Sequence, residues 1–203
     1  LIFGADPMDS GKIFIHGKEV SIKSTKDAVN AGIGYLSEDR KRFGLLVDKS
    51  VEENTCISSL EKFTKGLFID GAKSKTVSEK YVQELKTKTP NVKQIIKKLS
   101  GGNQQKVVIA KWLVKDSEIL IFDDSFSALD YRTDKILRRE LRERVKGSTS
   151  LIVAQRIGTI MEADRIIVLE EGKIVGQGRH KELLKTCPVY KEIAMSQLSE
   201  EEL

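Results

Sequence analysis

The sequence is poor in the features that stabilise small secreted proteins or carry a chain across a membrane. Two cysteines, Cys56 and Cys187, in 203 residues cannot form a disulfide framework and suit a reducing compartment. The longest apolar runs, Ile119–Phe122, Leu151–Ala154 and Ile166–Leu169 among them, are only four residues long. They fall far below the roughly 20 residues of a transmembrane helix. No internal repeat, low-complexity tract or linker interrupts the chain. The two histidines, His16 and His180, form no metal-ligand spacing with the cysteines, which argues against a structural zinc. His180 reads as structural, at a helix start after the last strand. The chain opens Leu1-Ile2-Phe3, without Met and without a leader pattern, and is expected to be one entered partway through.

Charge is plentiful but balanced. Thirty-five Lys+Arg against 30 Asp+Glu leave +5, with both signs interspersed. That reads as a solvated surface rather than a nucleic-acid footprint. With 39% hydrophobic residues the length suits one well-packed domain, or a large domain with a small lobe. Patterning is α/β. Ile13–His16, a Gly17-Lys18 turn and Val20–Ile22 predict a hairpin. Lys26–Ala31 is a short helix candidate stopped by Gly32, and Ile33–Leu36 a strand. Ser50 and Glu53 form a capping box that starts a helix running to about Leu60. Lys75 to about Lys86 repeats apolar residues at helical spacing. Then come a helix over Val107–Val114, a buried strand Ile119–Phe122 and a charged helix Asp134–Val145. Strands Leu151–Ala154 and Asp164–Leu169 follow, and the latter turns at Glu171-Gly172 into Lys173–Val175. Short apolar strands alternating with helices predict a mostly parallel sheet covered by helices. The charged run Arg138–Lys146 reads as an ordinary helix face.

Two segments carry the chemistry. Leu99-Ser100-Gly101-Gly102-Asn103-Gln104-Gln105 runs directly into a helix. Adjacent glycines allow close backbone approach. The helix start aims free amides and the positive end of its dipole at the same spot, and Ser100 adds a hydroxyl. This is a phosphate cradle. Further on, an apolar strand ends in Asp123-Asp124. A carboxylate at the carboxyl edge of a parallel sheet is where the Mg²⁺ of a nucleotide is held, and the second carboxylate can orient an attacking water.

With these motifs on one chain, the sequence resembles the ATP-binding cassette of ABC transporters. Leu99–Gln104 looks like the signature motif, Ile119–Asp124 like the Walker B strand and Ser127–Asp130 like the D-loop. Tyr35–Arg40 lies where the Q-loop belongs, and Ala154-Gln155-Arg156 where the switch histidine belongs. Residues 1 to about 112 are similar to the second cassette of monosaccharide importer ATPases, which often carry Asn at the position of Asn103. Residues 119–198 resemble a multidrug-type exporter cassette whose own site is degenerate. A mosaic joined near Lys115–Glu118 is therefore expected.

The resemblance implies an α/β, P-loop NTPase-like cassette: a mostly parallel sheet, a short antiparallel N-terminal hairpin and a helical signature subdomain. It implies one domain over residues 1–203, with 1–36 a core remnant, 37–115 the Q-loop and helical subdomain, and 116–198 the rest of the core. ATP and Mg²⁺ are the implied cofactors. Asp123 would hold the metal, and Asp124 and Gln155 would occupy catalytic positions. Ser100, Gly101, Gly102, Asn103, Gln104, Glu38 and Asp130 would meet nucleotide. The implied partners are a second cassette in a head-to-tail dimer and transmembrane domains, at the cytoplasmic face of the membrane; nucleic acid is not expected. Three positions depart from the pattern. Asp124 is one methylene shorter than the usual Glu, Gln155 replaces the switch histidine, and Glu38 replaces the Q-loop glutamine. The G-x-x-x-x-G-K-[ST] phosphate loop is missing: Gly4 to Gly11-Lys12 imitates it with the wrong spacing, and Ile13 stands where a hydroxyl belongs. Weak or no hydrolysis by this chain alone is expected, with its signature serving a partner's ATP. Two other readings remain: a non-catalytic regulatory fragment of a cassette, and a non-transport ABC ATPase acting on nucleic acid. Lys41-Arg42 reads as an exposed loop that could touch phosphate.

Overall fold

The computed structural model of the chain describes residues 1–125 and 147–199. Asp130, the Ser127–Asp130 segment, the Asp134–Val145 helix and the Arg138–Lys146 run lie outside the described residues. The chain divides into two compact units, Leu1–Leu151 and Ile152–Leu203.

The first unit begins with an antiparallel hairpin, β1 (Ile13–Ile15) and β2 (Lys18–Val20), with Ile15 opposite Lys18. Its two-residue loop is His16-Gly17, with φ of 51° and 75°. Two consecutive positive φ values make the twist-matched hairpin turn. The turn therefore sits one residue earlier than Gly17-Lys18, and the second strand ends before Ile22. Helix α1 (Thr25–Asn30) starts where the Ser24 hydroxyl accepts the Asp27 amide at 3.2 Å. Gly32, at φ 80°, then turns the chain into β3 (Ile33–Leu36). A π-helical turn, Arg40–Gly44, follows, capped by Asp39.

Helix α2 (Val51–Cys56) carries the expected capping box: Glu53 N–H donates to Ser50 Oγ, and Ser50 N–H to Glu53 Oε2. It stops four residues short of Leu60. A tighter 3₁₀ stretch, Ile57–Phe63, kinks at Ser59 and buries Phe63 against Cys56 and Val114. A small hairpin of β4 (Thr64–Lys65) and β5 (Phe68–Ile69) precedes α3 (Gly71–Glu84). That helix starts earlier than its apolar spacing suggests, because Asp70 caps it by accepting the Lys73 amide at 3.0 Å. Helix α4 (Gly101–Lys115) also starts early, at the first glycine. It buries Val107, Val108, Ile109, Ala110, Trp112 and Val114. Each buried valine or isoleucine contributes roughly 1.5–3 kcal/mol of burial.

After α4 comes β6 (Ile119–Asp123), parallel to β3 and in register from Ile33 opposite Ile119 to Leu36 opposite Phe122. Strand β7 (Thr149–Val153) lies on the other side of β6. This parallel pairing places the carboxyl ends of β3 and β6 side by side. Ala28, Ile33 and Ile121 form a core beneath Phe3, Tyr35 and Ile119.

The second unit contains α5 (Ile157–Ile160), a bulged antiparallel hairpin of β8 (Ile166–Glu170) and β9 (Lys173–Gly178), then α6 (His180–Thr186) and α7 (Pro188–Gln197). Strand β9 extends past Val175. Its Gly176 passes so close to α6 that a Cβ would meet Cys187 Sγ at 2.6 Å. The core is Ile157, Ile166, Val168, Leu183, Cys187, Tyr190 and Ala194. Beside it His180 is buried, its Nδ1 2.8 Å from the Tyr190 hydroxyl. Burial, and then the nearby Lys181 charge, push the His180 pKa below its ordinary value. The unfolded chain therefore binds this proton more readily. The contribution of neutral His180 to stability is full above about pH 6.5 and is lost as pH falls below it. Thermal unfolding followed from pH 8 to pH 5 is expected to show a falling midpoint over the lower part of that range. The dependence should flatten in His180→Gln.

No helix among the described residues is long and apolar enough to cross a membrane.

Candidate functional site

The cradle is built by the start of α4. Ser100 is its N-cap, extended at φ −62° and ψ 157°, yet its side chain caps no backbone amide. Instead Ser100 Oγ accepts from Asn103 Nδ2 at 2.9 Å, and Asn103 Oδ1 accepts from the Lys88 amide at 2.9 Å. The exposed hydroxyl keeps its own proton for a ligand, and its side chain makes no claim on the amides of the first turn. Gly101 and Gly102 belong to that turn rather than to a loop before it. Gln104 is buried beneath, its Nε2 donating to the carbonyls of Ile96 and Leu99, both at 3.2 Å. Gln104 thus holds the cradle from inside the protein, half-buried Asn103 ties Ser100 to the Lys88 backbone at the surface, and Ser100 stands outward.

The acidic end is built by the two parallel strands. Asp123 closes β6, and its Oδ2 accepts the Tyr35 hydroxyl of β3 at 2.6 Å. Burial first, then the Asp123 hydrogen bond and charge, push the Tyr35 pKa up to about 12, so the phenol remains a donor at neutral pH. Asp124 follows with a left-handed φ of 40°, a conformation Asp tolerates better than most residues. The bend takes the chain off the strand axis immediately after Asp123. Ser125 Oγ then donates to the Leu36 carbonyl at 2.6 Å, tying the end of β6 back to β3. Glu38, two residues beyond β3, is exposed near the same carboxyl edge.

Gln155 lies in the second unit; its side chain is exposed, and its backbone carbonyl accepts from Gln197 Nε2 at 2.9 Å. Lys12 is engaged elsewhere, in an exposed ion pair with Glu19 at 2.8 Å. Gly4 serves a turn packed on Ser24, where a Cβ would lie 2.6 Å from backbone atoms. The Gly4–Lys12 segment therefore has local structural roles.

The donor set suits a nucleotide-bound Mg²⁺. That ion keeps waters and phosphate oxygens and takes only one or two protein carboxylates. Asp123 would supply one; the described residues contain no cluster of three or more His, Cys, Asp or Glu side chains that could hold a metal.

The contacts of three residues that bear on the site have no signal in the sequence, although Tyr35 and Arg40 lie in the Tyr35–Arg40 stretch it singles out. Tyr35 orients Asp123. Lys111, buried on α4, donates to the Gly44 carbonyl at 2.7 Å, and burial lowers its pKa to about 8. Arg40 reaches the cradle: its Nε donates to Gln104 Oε1 at 3.3 Å. Lys41 and Arg42, the basic pair that the sequence singled out, stay exposed, and Arg42 stacks over Phe43 at 5.0 Å. No local signal separated Arg40 from its two basic neighbours.

Residues 1–127 match the ABC transporter family. The chain is 42% identical over 181 residues to a ribose/galactose/methyl galactoside import ATP-binding protein of Burkholderia lata, covering 88% of this chain and 35% of that one. It is 40% identical over 179 residues to a xylose import ATP-binding protein of Thermoanaerobacter pseudethanolicus, covering 87% and 35%. The chain thus spans about a third of the length of the curated relatives it matches. Among solved structures it resembles a bacterial Atm1-family ABC exporter with ATP bound. The TM-score is 0.78 and the identity 25%, covering 98% of this chain and 34% of that one. The likeness to the Burkholderia lata importer covers 88% of this chain and so runs well past residue 112, and the likeness to the exporter structure covers 98%, so neither is confined to one half of the sequence. A signature-like helix start, a strand ending in a held carboxylate and these likenesses agree: this chain belongs to the ABC transporter family of ATP-binding cassettes.

Proposed function

We propose that the chain is the nucleotide-binding cassette of an importer-type ABC transporter for monosaccharides, working against the cytoplasmic face of the membrane with transmembrane partners. Its Ser100 cradle closes on the triphosphate of ATP held by a second cassette, in a head-to-tail pair. The observation that carries this reading is the exposed Ser100 hydroxyl on a helix start whose amides its own side chain leaves uncapped. Such a start favours anions, and each phosphate hydrogen bond is charge-assisted. The sugar specificity rests on the relatives' names at about 40% identity.

At the chain's own acidic edge, Asp123 would hold Mg²⁺, which neutralises phosphate charge when bound. Tyr35 fixes the Asp123 carboxylate by donating to Oδ2, and Asp124 and Glu38 border the same edge and would orient water there. Gln155, in the second unit, has an exposed amide that can donate and accept hydrogen bonds but cannot carry a proton as histidine does.

Ser100→Arg in the complete transporter tests the reading. The long cation fills the cradle and blocks approach of the partner's nucleotide. ATP hydrolysis and sugar uptake are expected to fall at least about 10-fold, with the thermal midpoint unchanged because Ser100 is exposed. Hydrolysis within two-fold of wild type would show that the cradle does not act on nucleotide.

A further inference from the structure

We infer that Arg40 is a positioning residue, a strut that ties the segment carrying Glu38 to the helix start carrying Ser100. The inference rests on the functional reading above. In that reading Glu38 faces this chain's own nucleotide and Ser100 faces the partner's, so a strut between them makes the two sites move together.

The turn that carries Arg40 is held at several points. At its start, the Asp39 carboxylate accepts the Lys41 and Arg42 amides, both at 3.1 Å. At its end, buried Lys111 of α4 donates to the Gly44 carbonyl at 2.7 Å. Gly44 packs so tightly that a Cβ would lie 3.3 Å from Arg40 Cβ and 3.4 Å from Val108 Cγ2. The turn is thus fastened along α4, and Arg40 reaches the first turn of that helix. There its Nε donates to Gln104 Oε1 at 3.3 Å. Gln104 in turn holds the Ile96 and Leu99 carbonyls just before Ser100.

Gly101 shows how closely the guanidinium lies on the cradle. A Cβ there would sit 2.7 Å from Arg40 Nη2. The missing side chain therefore makes room for Arg40, a role distinct from the ligand approach that a glycine pair suggests in sequence. The electrostatics have a direction too. A cation beside a helix start is unfavourable on its own, because it meets the positive end of the dipole. A triphosphate at that start offsets both charges. The strut is thus best satisfied when nucleotide occupies the cradle. Lysine cannot replace it, since its single ammonium cannot both fill the space beside Gly101 and donate to Gln104 as the forked guanidinium does.

The test is steady-state ATP hydrolysis by the complete transporter in proteoliposomes, over a range of ATP concentrations. Wild type, Arg40→Ala, Gly101→Ala and the double variant are compared, with thermal unfolding of each. Each single variant is expected to lower kcat about 10-fold and leave KM for ATP within about two-fold, because the cradle acts in the closed state rather than in first binding. The double variant should be no slower than the slower single one, since both changes remove the same contact. A kcat for Arg40→Ala within two-fold of wild type overturns the strut, and so does a double variant that loses the product of the two effects. Should Arg40→Ala not fold, Arg40→Lys gives the same reading, and wild-type kcat in Arg40→Lys also overturns it. Ser100→Arg separates the two levels. If that variant stays active, the functional reading itself is wrong. If it is inactive while Arg40→Ala is active, only the strut is wrong.

Discussion

Asp123→Asn is expected to lower ATP hydrolysis at the chain's own acidic edge about 100- to 1000-fold, read in the complete transporter with the partner's site blocked by Ser100→Arg, several kcal/mol of lost charge stabilisation. The substitution is nearly isosteric. The amide oxygen of Asn can still accept the Tyr35 hydroxyl, which Asp123 Oδ2 now does at 2.6 Å. Packing at the end of β6 therefore survives, and the thermal midpoint should remain within a few degrees of wild type. What is lost is the negative charge at the carboxyl edge. A neutral amide binds Mg²⁺ far more weakly than a carboxylate does. The loss should persist at saturating ATP and ease in part at high Mg²⁺. A double variant that keeps more than a tenth of the Ser100→Arg activity would remove Asp123 from the metal site.

The largest effect on stability is expected at Gly34. This residue of β3 has ordinary strand geometry, so its need for glycine comes from packing and not from φ. A Cβ there would lie 2.9 Å from Leu120 Cδ2, 3.0 Å from Ser117 Oγ and 3.1 Å from Trp112 Cε3. Leu120 and Trp112 are both buried and cannot swing aside. Gly34→Val adds three carbons where there is no room for one. The expected cost is about 3 kcal/mol, at the upper end for overpacking. Urea unfolding should show a lowered midpoint with an unchanged slope. A cost below about 1 kcal/mol would mean that β3 and β6 separate easily. The same variant bears on the site, because any shift of β3 away from β6 lengthens the Tyr35–Asp123 bond.

How far the site was legible depends on the range of each contact. Ser50 and Glu53 could be paired from sequence because three residues on a helix start are neighbours whatever the rest of the chain does. Ser24 and Asp70 are caps of the same kind, but no apolar periodicity marked the turns they begin, so α1 and α3 start earlier than the spacing suggested. The break after Cys56 was not legible either. Ile57–Leu60 reads as a helical continuation, and only the pull of Phe63 into the core with Cys56 and Val114 explains the tighter winding. The hairpin turn shifted by one residue because His16, rather than Lys18, takes the second positive φ beside Gly17.

By itself the sequence determined the family, the alternation of strands and helices and where Ser100 and Asp123 fall along them, at a helix start and a strand end. These follow from residue type, spacing and short-range hydrogen bonding, which one dimension records. Only the tertiary structure decided what orients those residues. Tyr35 meets Asp123 across 88 positions because β3 and β6 pair in parallel and in register. Arg40 reaches Gln104 across 64 positions because its turn is fastened along α4. Gly34 and Gly101 look interchangeable with any flexible glycine until a buried leucine and a guanidinium are found where their Cβ atoms would be. Side chains far apart in sequence meet through strand register and close packing, and neither has a local signature.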